Sequence, residues 1–153
     1  MSSFYFKGDE SKMIKKDCLF CKIGQGIIPS SKIYEDDDVI AFLDISQTTV
    51  GHALVIPKAH YDNFLAVDHD IMHKVMDVAQ RIGQAEMMLF GASGINILTN
   101  VGEAAGQSVP HFHVHVIPRY LGKDPGFQIE MRPQDTSNMN LPLLAEEIAK
   151  KLK

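Results

Sequence analysis

Residues 111–119 read His-Phe-His-Val-His-Val-Ile-Pro-Arg, and this stretch carries the pattern that decides the fold. Histidines alternate with apolar residues, which is the period of a β-strand, because successive side chains of a strand point to opposite faces. The pattern predicts a strand whose three histidines share one face: His111, His113 and His115. The apolar side chains that alternate with them are expected on the opposite face: Phe112, Val114 and Val116.

The spacing of these histidines favours separate roles over one shared metal ion. A strand rises about 3.3 Å per residue, so the outer two histidines would be about 13 Å apart. Two of the three can reach one zinc ion through bonds of about 2.0 Å, but the third would point away. A neutral imidazole can act as a nucleophile, transfer protons near pH 7 or ligate a metal. A row of solvent-facing histidines without a function is the alternative reading.

The loop before this strand, residues 100–110, contains two glycines and several small residues. Its backbone N–H groups, together with the Ser108 hydroxyl and the Gln107 amide, can hold a phosphate beside the histidines. The loop lacks the Gly-Lys-Ser/Thr ending of a P-loop. By itself it is equally consistent with an ordinary connection between two strands.

Three segments of the chain together resemble the histidine-triad (HIT) family. Gly106–Ile117 matches the family signature, in which three histidines alternate with apolar residues. Gly51–His60 reads Gly-His-Ala-Leu-Val-Ile-Pro-Lys-Ala-His, and Asp17–Ile23 reads Asp-Cys-Leu-Phe-Cys-Lys-Ile. The three segments follow the family's order, and the joint match is far more specific than the histidines alone.

Length and charge set limits on the class of protein. The 153 residues suit one domain, which divides into a lead-in (1–16), a motif-bearing core (17–119) and a variable C-terminal tail (120–153). A net charge of −4 without a basic stripe argues against a nucleic-acid polymer as partner, but a single nucleotide remains compatible. Apolar runs are far shorter than the ~20 residues of a membrane span, and no signal-peptide pattern is seen. We therefore expect a cytoplasmic protein without a membrane partner.

Both cysteines lie in the segment Cys18-Leu19-Phe20-Cys21. Such a pair occurs in redox sites, at positions without a special function and as half of a zinc site. The Leu-Phe interior does not suit a redox pair, and spacing alone cannot choose further ligands among seven histidines. The resemblance supplies them, because one branch of the family holds a structural zinc through four residues. Their matches here are Cys18, Cys21, His60 and His111.

The resemblance also implies a nucleotide-binding site. Phe20 and Ile23 would form apolar walls for the base, Asp44 would accept the ribose hydroxyls, and the loop before the histidines would hold the phosphate. From the residues alone, the two apolar side chains are equally consistent with core packing, and Asp44 with a turn. The implied substrate contacts are Phe20, Ile23, Asp44, Asn100, Gly106, Gln107 and Ser108.

Periodicity predicts an α+β fold with an antiparallel sheet of about five strands and one long helix on one face. The helix is expected over residues 68–90, with acidic residues in its first turn and Gly91 at its end. A second amphipathic helix is expected over 141–152. The resemblance adds a homodimer in which two subunits form one continuous sheet. The apolar stripe predicted for the long helix consists of Ile71, Val75, Val78, Ile82, Ala85 and Leu89.

The mechanism that the resemblance implies is covalent catalysis at phosphorus. His113 would attack the α-phosphate of a nucleotide conjugate, with a purine base expected, and water would hydrolyse the nucleotidyl-histidine. The other catalytic groups would be His115, Ser108 and His52, the last as the fourth member of the histidine cluster. The second ring nitrogen of His113 must be protonated and bonded to an acceptor, for which we expect the backbone carbonyl of His115.

The leaving group and the class of function stay open at the level of sequence. An amine would make the protein a nucleoside phosphoramidase, and a nucleotide would make it a dinucleoside polyphosphate hydrolase. The ending Ile117-Pro118-Arg119 departs from the Gly-Gly-Arg ending of the phosphoramidase branch. A metallohydrolase with a catalytic zinc on His111 and His113, or a non-catalytic nucleotide-binding or scaffold protein, are the other classes.

Overall fold

A computed structural model describes residues 5–8, 12–124 and 132–152. The described chain forms a five-stranded antiparallel sheet with the strand order β3 (Lys32–Glu35), β4 (Val39–Leu43), β5 (Ala53–Pro57), β7 (Val114–Arg119) and β6 (Gly94–Leu98), together with a separate two-stranded hairpin. A 3-10 turn at Glu103–Ala105 lies in the loop before β7. The elements are β1 (Tyr5–Gly8), β2 (Lys12–Lys15), α1 (Leu19–Gly24), β3 (Lys32–Glu35), β4 (Val39–Leu43), β5 (Ala53–Pro57), α2 (His69–Phe90), β6 (Gly94–Leu98), β7 (Val114–Arg119) and α3 (Leu141–Ala149).

The central strands β4 and β5 are buried on both faces, which explains their continuous apolar sequences. Alternate residues of each strand contribute to two different cores because side chains alternate across the sheet. One core lies between the sheet and α2 and contains Val39, Ala41, Ala53 and Val55. The second lies on the opposite face, under α1, and contains Ile40, Phe42, Leu54 and Ile56. The predicted α+β architecture is confirmed.

Helix α2 covers the predicted range but buries a different face near its end. It follows Asp68 at the N-cap and ends at Gly91, whose φ of 64° is left-handed. Two members of the predicted stripe, Ala85 and Leu89, are exposed, so that part of the prediction is wrong. The buried face continues instead through Gly83 and Glu86. Gly83 lies on the side of α2 that faces β6, because a Cβ there would lie 3.6 Å from Ile95, at ordinary van der Waals distance.

Strand β7 begins at Val114, so His111 and His113 precede the strand. The prediction that all three histidines lie in one regular strand is therefore wrong. The backbone there bonds elsewhere: the Phe112 N–H donates to the Tyr61 carbonyl at 2.6 Å, outside the sheet ladder. The predicted division of faces nevertheless holds, because Phe112 and Val114 pack in the core under α2.

The two ends of the chain contain elements with few contacts to the sheet. β1 and β2 pair as a hairpin within the lead-in, where four-residue strands are too short to leave a pattern in sequence. The Met13 carbonyl of β2 accepts a hydrogen bond from the His60 N–H at 2.6 Å, which ties the hairpin to the loop after β5. α3 forms within the predicted range, and all of its residues are exposed.

Candidate active site

Four potential metal ligands meet where α1, the loop after β5 and the segment before β7 come together. The ligand atoms are the two Sγ atoms of Cys18 and Cys21 and the Nδ1 atoms of His60 and His111, and all lie within 4.8 Å of one another. Three S···N separations are 3.4, 3.4 and 3.5 Å. A tetrahedral zinc with bonds of about 2.3 Å to sulfur and 2.0 Å to nitrogen requires an S···N separation of about 3.5 Å. All four residues are buried, so the donor set fits a structural zinc ion.

Hydrogen bonds behind the two histidines leave the correct ring nitrogen free for a metal. The Nε2 atom of His60 lies 2.9 Å from Asp62 Oδ1, and Nε2 of His111 lies 2.8 Å from the Pro57 carbonyl. Because a carboxylate and a carbonyl can only accept, each Nε2 carries the proton and each Nδ1 presents its lone pair to the cysteines. Asp62 was not predicted, and a lone exposed aspartate leaves no signal in sequence.

The two cysteines differ in protonation because they lie next to each other. A hydrogen bond from the Cys21 thiol holds the pKa of Cys18 well below its ordinary value, although burial opposes this. The same bond and burial raise the pKa of Cys21. The Cys18 thiolate in turn raises the pKa of His60.

His113 is held in one orientation by the chain that precedes it. Its Nδ1 lies 2.7 Å from the backbone carbonyl of His111, to which it donates. The expectation that the carbonyl of His115 would be this acceptor is therefore wrong. Residue 111 lies outside the sheet ladder, so its carbonyl is available to the ring two residues later. With the proton on Nδ1, the Nε2 atom of His113 keeps its lone pair, and burial lowers the pKa of the ring.

Two consecutive hydrogen bonds connect the loop after β4 to His115 of β7. The Thr48 N–H donates to Nδ1 of His52 at 3.2 Å, which places the proton of His52 on Nε2. This Nε2–H donates to Nδ1 of His115 at 2.9 Å, so His115 carries its own proton on Nε2. Burial, with His113 and His52 nearby, lowers the pKa of His115 to about 4, so the ring is neutral at pH 7.

The carboxylate of Asp44 lies beside these hydrogen bonds, with Oδ2 3.7 Å from Nε2 of His52. Asp44, His52 and His115 have donor atoms within 4.8 Å of one another, as a metal site requires. A metal on Nε2 of His52 would, however, move the ring proton to Nδ1, directly against the Thr48 N–H. The arrangement therefore favours a hydrogen-bonded chain over a second metal site.

These groups border a cavity of about 370 Å³ between α1 and the sheet. The ring of Phe20 packs edge-on against His113 at 5.1 Å between centroids, so the apolar wall touches the histidine directly. His52 is buried behind His115. The predicted site residues that line the cavity are Phe20, Ile23, Asp44, Ser108, His113 and His115.

Asn100, Gly106 and Gln107 are not among the residues that line the cavity, and the side chains of Asn100 and Gln107 bond to the backbone. Gln107 donates to the carbonyls of Asp62 at 2.7 Å and Val109 at 3.0 Å, and it accepts from the Gly102 N–H at 2.9 Å. Asn100 donates to the Gly106 carbonyl at 3.4 Å. Gln107 therefore joins this loop to the loop after β5 that carries His60.

Comparison with known proteins assigns the family. Residues 25–122 match the family model described as HIT domain. The chain belongs to the HIT family. This HIT protein is similar to a crystal structure of a HIT family protein from Bacillus anthracis, with 44% identity and a TM-score of 0.83, over 90% of this chain and 99% of that chain.

Two further relatives of this HIT protein bear on its chemistry. It is 35% identical over 136 residues to the adenosine 5′-monophosphoramidase of Schizosaccharomyces pombe, covering 89% of this chain and 98% of that protein. A zinc-bound histidine triad family protein from Mycobacterium smegmatis is 34% identical, with a TM-score of 0.69, over 88% of this chain and 98% of that chain. Within the described residues, no helix is both long and apolar enough to cross a membrane.

Proposed function

We propose that this HIT protein hydrolyses nucleotide conjugates at the α-phosphate through a nucleotidyl-histidine intermediate. The observation that carries the proposal is the state of His113, whose Nδ1–H is held by the His111 carbonyl at 2.7 Å. This bond leaves an unprotonated Nε2 on a ring that lines the cavity. A neutral imidazole with its second nitrogen bonded to a carbonyl is a nucleophile whose developing positive charge is stabilised.

The cavity supports a nucleotide as the substrate. Phe20 and Ile23 offer two apolar surfaces for a base, and a purine presents the larger face to them. Asp44 lies at the polar end of the same cavity, where its carboxylate can accept the ribose hydroxyls. Ser108, in the loop before β7, lines the cavity as well, and its hydroxyl can bind the phosphate beside His113.

The reaction takes place in two displacements at phosphorus. The lone pair of Nε2 of His113 attacks, the N–P bond forms, and the bond from phosphorus to the leaving group breaks with its electron pair. The Nε2–H of His115 and the Ser108 hydroxyl are the donors available to the phosphate oxygens and the leaving group. Water then attacks the same phosphorus, the N–P bond breaks with its electron pair returning to Nε2 of His113, and the proton that water loses returns to the donor, His115 or Ser108, that protonated the leaving group.

A zinc ion on Cys18, Cys21, His60 and His111 would have a structural role in this scheme. Four protein ligands complete a tetrahedral shell, so no position stays open for water or substrate. The ion would hold α1, which carries the base wall, against the segment that carries the nucleophile. This arrangement argues against a metallohydrolase that uses His111 and His113 on one catalytic zinc, because these two rings have different partners.

The Schizosaccharomyces pombe relative favours an amine as the leaving group, which makes the substrate an adenosine phosphoramidate. A dinucleoside polyphosphate is the second candidate, because it would use the same nucleophile and the same apolar walls. Comparing kcat/KM for the two substrates on one preparation decides between them. A ratio above about 10 in favour of the phosphoramidate corresponds to about 1.4 kcal/mol of transition-state stabilisation.

The proposal is tested by intact-protein mass spectrometry after brief mixing with adenosine 5′-phosphoramidate. The quench is alkaline because a phosphorus–nitrogen bond to histidine is labile in acid. We expect a nucleotidyl adduct on the wild type and none on His113→Ala. The matched control is His73→Ala, which removes an exposed histidine of α2 and should leave the adduct unchanged. Nucleotide binding without an adduct or turnover in the wild type would refute the proposal and favour a scaffold protein.

A further inference from the structure

The side chain of Gln47 forms hydrogen bonds with both ends of the loop that joins β4 to β5. Its amide nitrogen donates to the backbone carbonyls of Asp44 at 2.6 Å and His52 at 2.7 Å. Its amide oxygen accepts from the Gly51 N–H at 2.9 Å. Three hydrogen bonds from one side chain thus reach both ends of the loop, although Gln47 itself is exposed.

The residues at the two ends of this loop face the cavity and the histidine chain. Asp44 lines the cavity, and the Nε2–H of His52 donates a hydrogen bond to Nδ1 of His115 at 2.9 Å. The residue directly after Gln47 is Thr48, whose N–H donates to Nδ1 of His52 at 3.2 Å. Gln47 therefore fixes the backbone directly before the Thr48 N–H, and this N–H sets the tautomer of His52.

We infer that Gln47 is a positioning residue that sets the protonation pattern of the His52–His115 pair and holds Asp44 at the cavity. Its hydrogen bonds keep the Thr48 N–H on Nδ1 of His52, so that the ring proton stays on Nε2 and His115 keeps its own on Nε2. The catalytic part of this inference rests on the proposed function, whereas the tautomer of His52 does not.

The chemistry of the site requires an amide at this position. Two of the three partners are carbonyl oxygens and the third is an N–H, so the side chain must donate twice and accept once. Glutamate has the same length but no donors at neutral pH, and it would place a negative charge against two carbonyls. Asparagine has the right groups but is one methylene too short to reach both ends of the loop.

The first test is ¹⁵N NMR of the imidazole rings in the substrate-free protein at neutral pH. In the wild type we expect His52 to show a protonated Nε2 and an unprotonated Nδ1. In Gln47→Ala and Gln47→Glu we expect the ¹⁵N chemical shifts of the two ring nitrogens to approach each other, as in a mixture of tautomers. A wild-type His52 protonated on Nδ1, or an unchanged pattern in both folded variants, would overturn the inference.

The second test is the rate of nucleotidyl transfer to His113 in the same variants. Misplacing a catalytic group by about 1 Å costs up to roughly 10²-fold in rate, so kcat/KM is expected to fall by about 10- to 100-fold. Gln134→Glu is the matched control, because it makes the same charge change on an exposed glutamine of the C-terminal segment. A loss of less than twofold in kcat/KM would contradict the catalytic part of the inference. A wild type without transfer would refute the proposed function and leave the NMR test standing.

Discussion

At the scale of single residues, backbone atoms decide the chemical state of the site. The His111 carbonyl sets the proton of His113, the Pro57 carbonyl sets that of His111, and the Thr48 N–H sets that of His52. Each contact fixes which of the two ring nitrogens carries the proton. Because the partners are main-chain groups, a movement of the backbone at these positions would change the protonation of the three rings.

Glu86 is a buried carboxylate that the proposed reaction does not use. It is 5% exposed, and its Oε2 has no hydrogen-bond partner among the described residues. Burial raises its pKa to about 7, well above the ordinary value of a glutamate. Burial and the charge of Glu86 raise the pKa of Tyr120, and Arg81 lines the same surface groove as Glu86. Ionisation of Glu86 therefore costs folding free energy.

Replacing Glu86 by glutamine should stabilise the protein at alkaline pH and not at acid pH. The folded state holds the Glu86 proton up to about pH 7, whereas the unfolded chain loses it near 4.5. The wild type accordingly loses stability as pH rises from about 4.5 to about 7, by up to about 3 kcal/mol. Urea unfolding at pH 5 and pH 8 measures this effect. An equal stability difference between variant and wild type at both pH values would contradict the prediction.

At the scale of elements, the metal-ligand cluster, which is the four candidate ligands Cys18, Cys21, His60 and His111, connects α1 to the rest of the fold. α1 has six residues, which is too short for a helix that is stable alone, so its position depends on packing and on the two cysteines. Phe20 lies between those cysteines and contacts His113. Metal binding and the shape of the base wall should therefore be linked.

Removing a bound metal should loosen α1 and leave α2 in place. After dialysis of metal-loaded protein against a chelator, amide exchange in residues 19–24 should become roughly tenfold faster or more, while residues 75–86 remain protected. Hydrogen–deuterium exchange with mass spectrometry gives both rates. Unchanged exchange in α1 after complete metal loss would show that packing alone holds the helix.

A variant pair relates this effect to the hydrogen bond behind His60. Asp62→Asn removes the carboxylate that accepts from Nε2 of His60, and metal affinity is expected to fall by about 10- to 100-fold. Asp37→Asn makes the same charge change in an exposed turn and should leave the affinity unchanged. Competition with a chromogenic chelator measures both affinities.

At the scale of the whole molecule, the sheet has two edges, β3 and β6, and α2 lies over one face. The β6 edge adjoins exposed apolar side chains: Ile97 is 45% exposed and Met87 of α2 is 43% exposed. An open strand edge beside apolar surface is a template for pairing with another chain. The homodimer expected from the HIT resemblance would join two copies through β6 and α2.

A charge on the β6 edge should dissociate this dimer. Light scattering coupled to size-exclusion chromatography is expected to give twice the 17.0 kDa chain mass for the wild type and a monomer for Ile97→Glu. Ile33→Glu on β3 is the control, because Ile33 is 44% exposed on the opposite edge. A monomeric wild type, or dissociation by the β3 variant alone, would contradict the predicted interface.

The sequence by itself determined the class of fold, the long helix, the strands of the sheet and the resemblance to the HIT family. These features follow from local periods and short motifs, which a chain carries before it folds. It also named the four residues that meet at the metal-ligand cluster, because the family motif places them in order. What it missed concerns contacts between distant segments or small shifts of a local pattern.

Only the tertiary structure decided which atoms surround each functional side chain. The acceptor for His113 is the His111 carbonyl because the strand begins three residues later than the alternation predicts. The buried face of α2 includes Glu86 because the helix packs its Gly83 side against Ile95 of β6. Gln47 acts through hydrogen bonds that exist only when the loop after β4 closes. Such partners are set by how the chain packs, and no local period of the sequence encodes them.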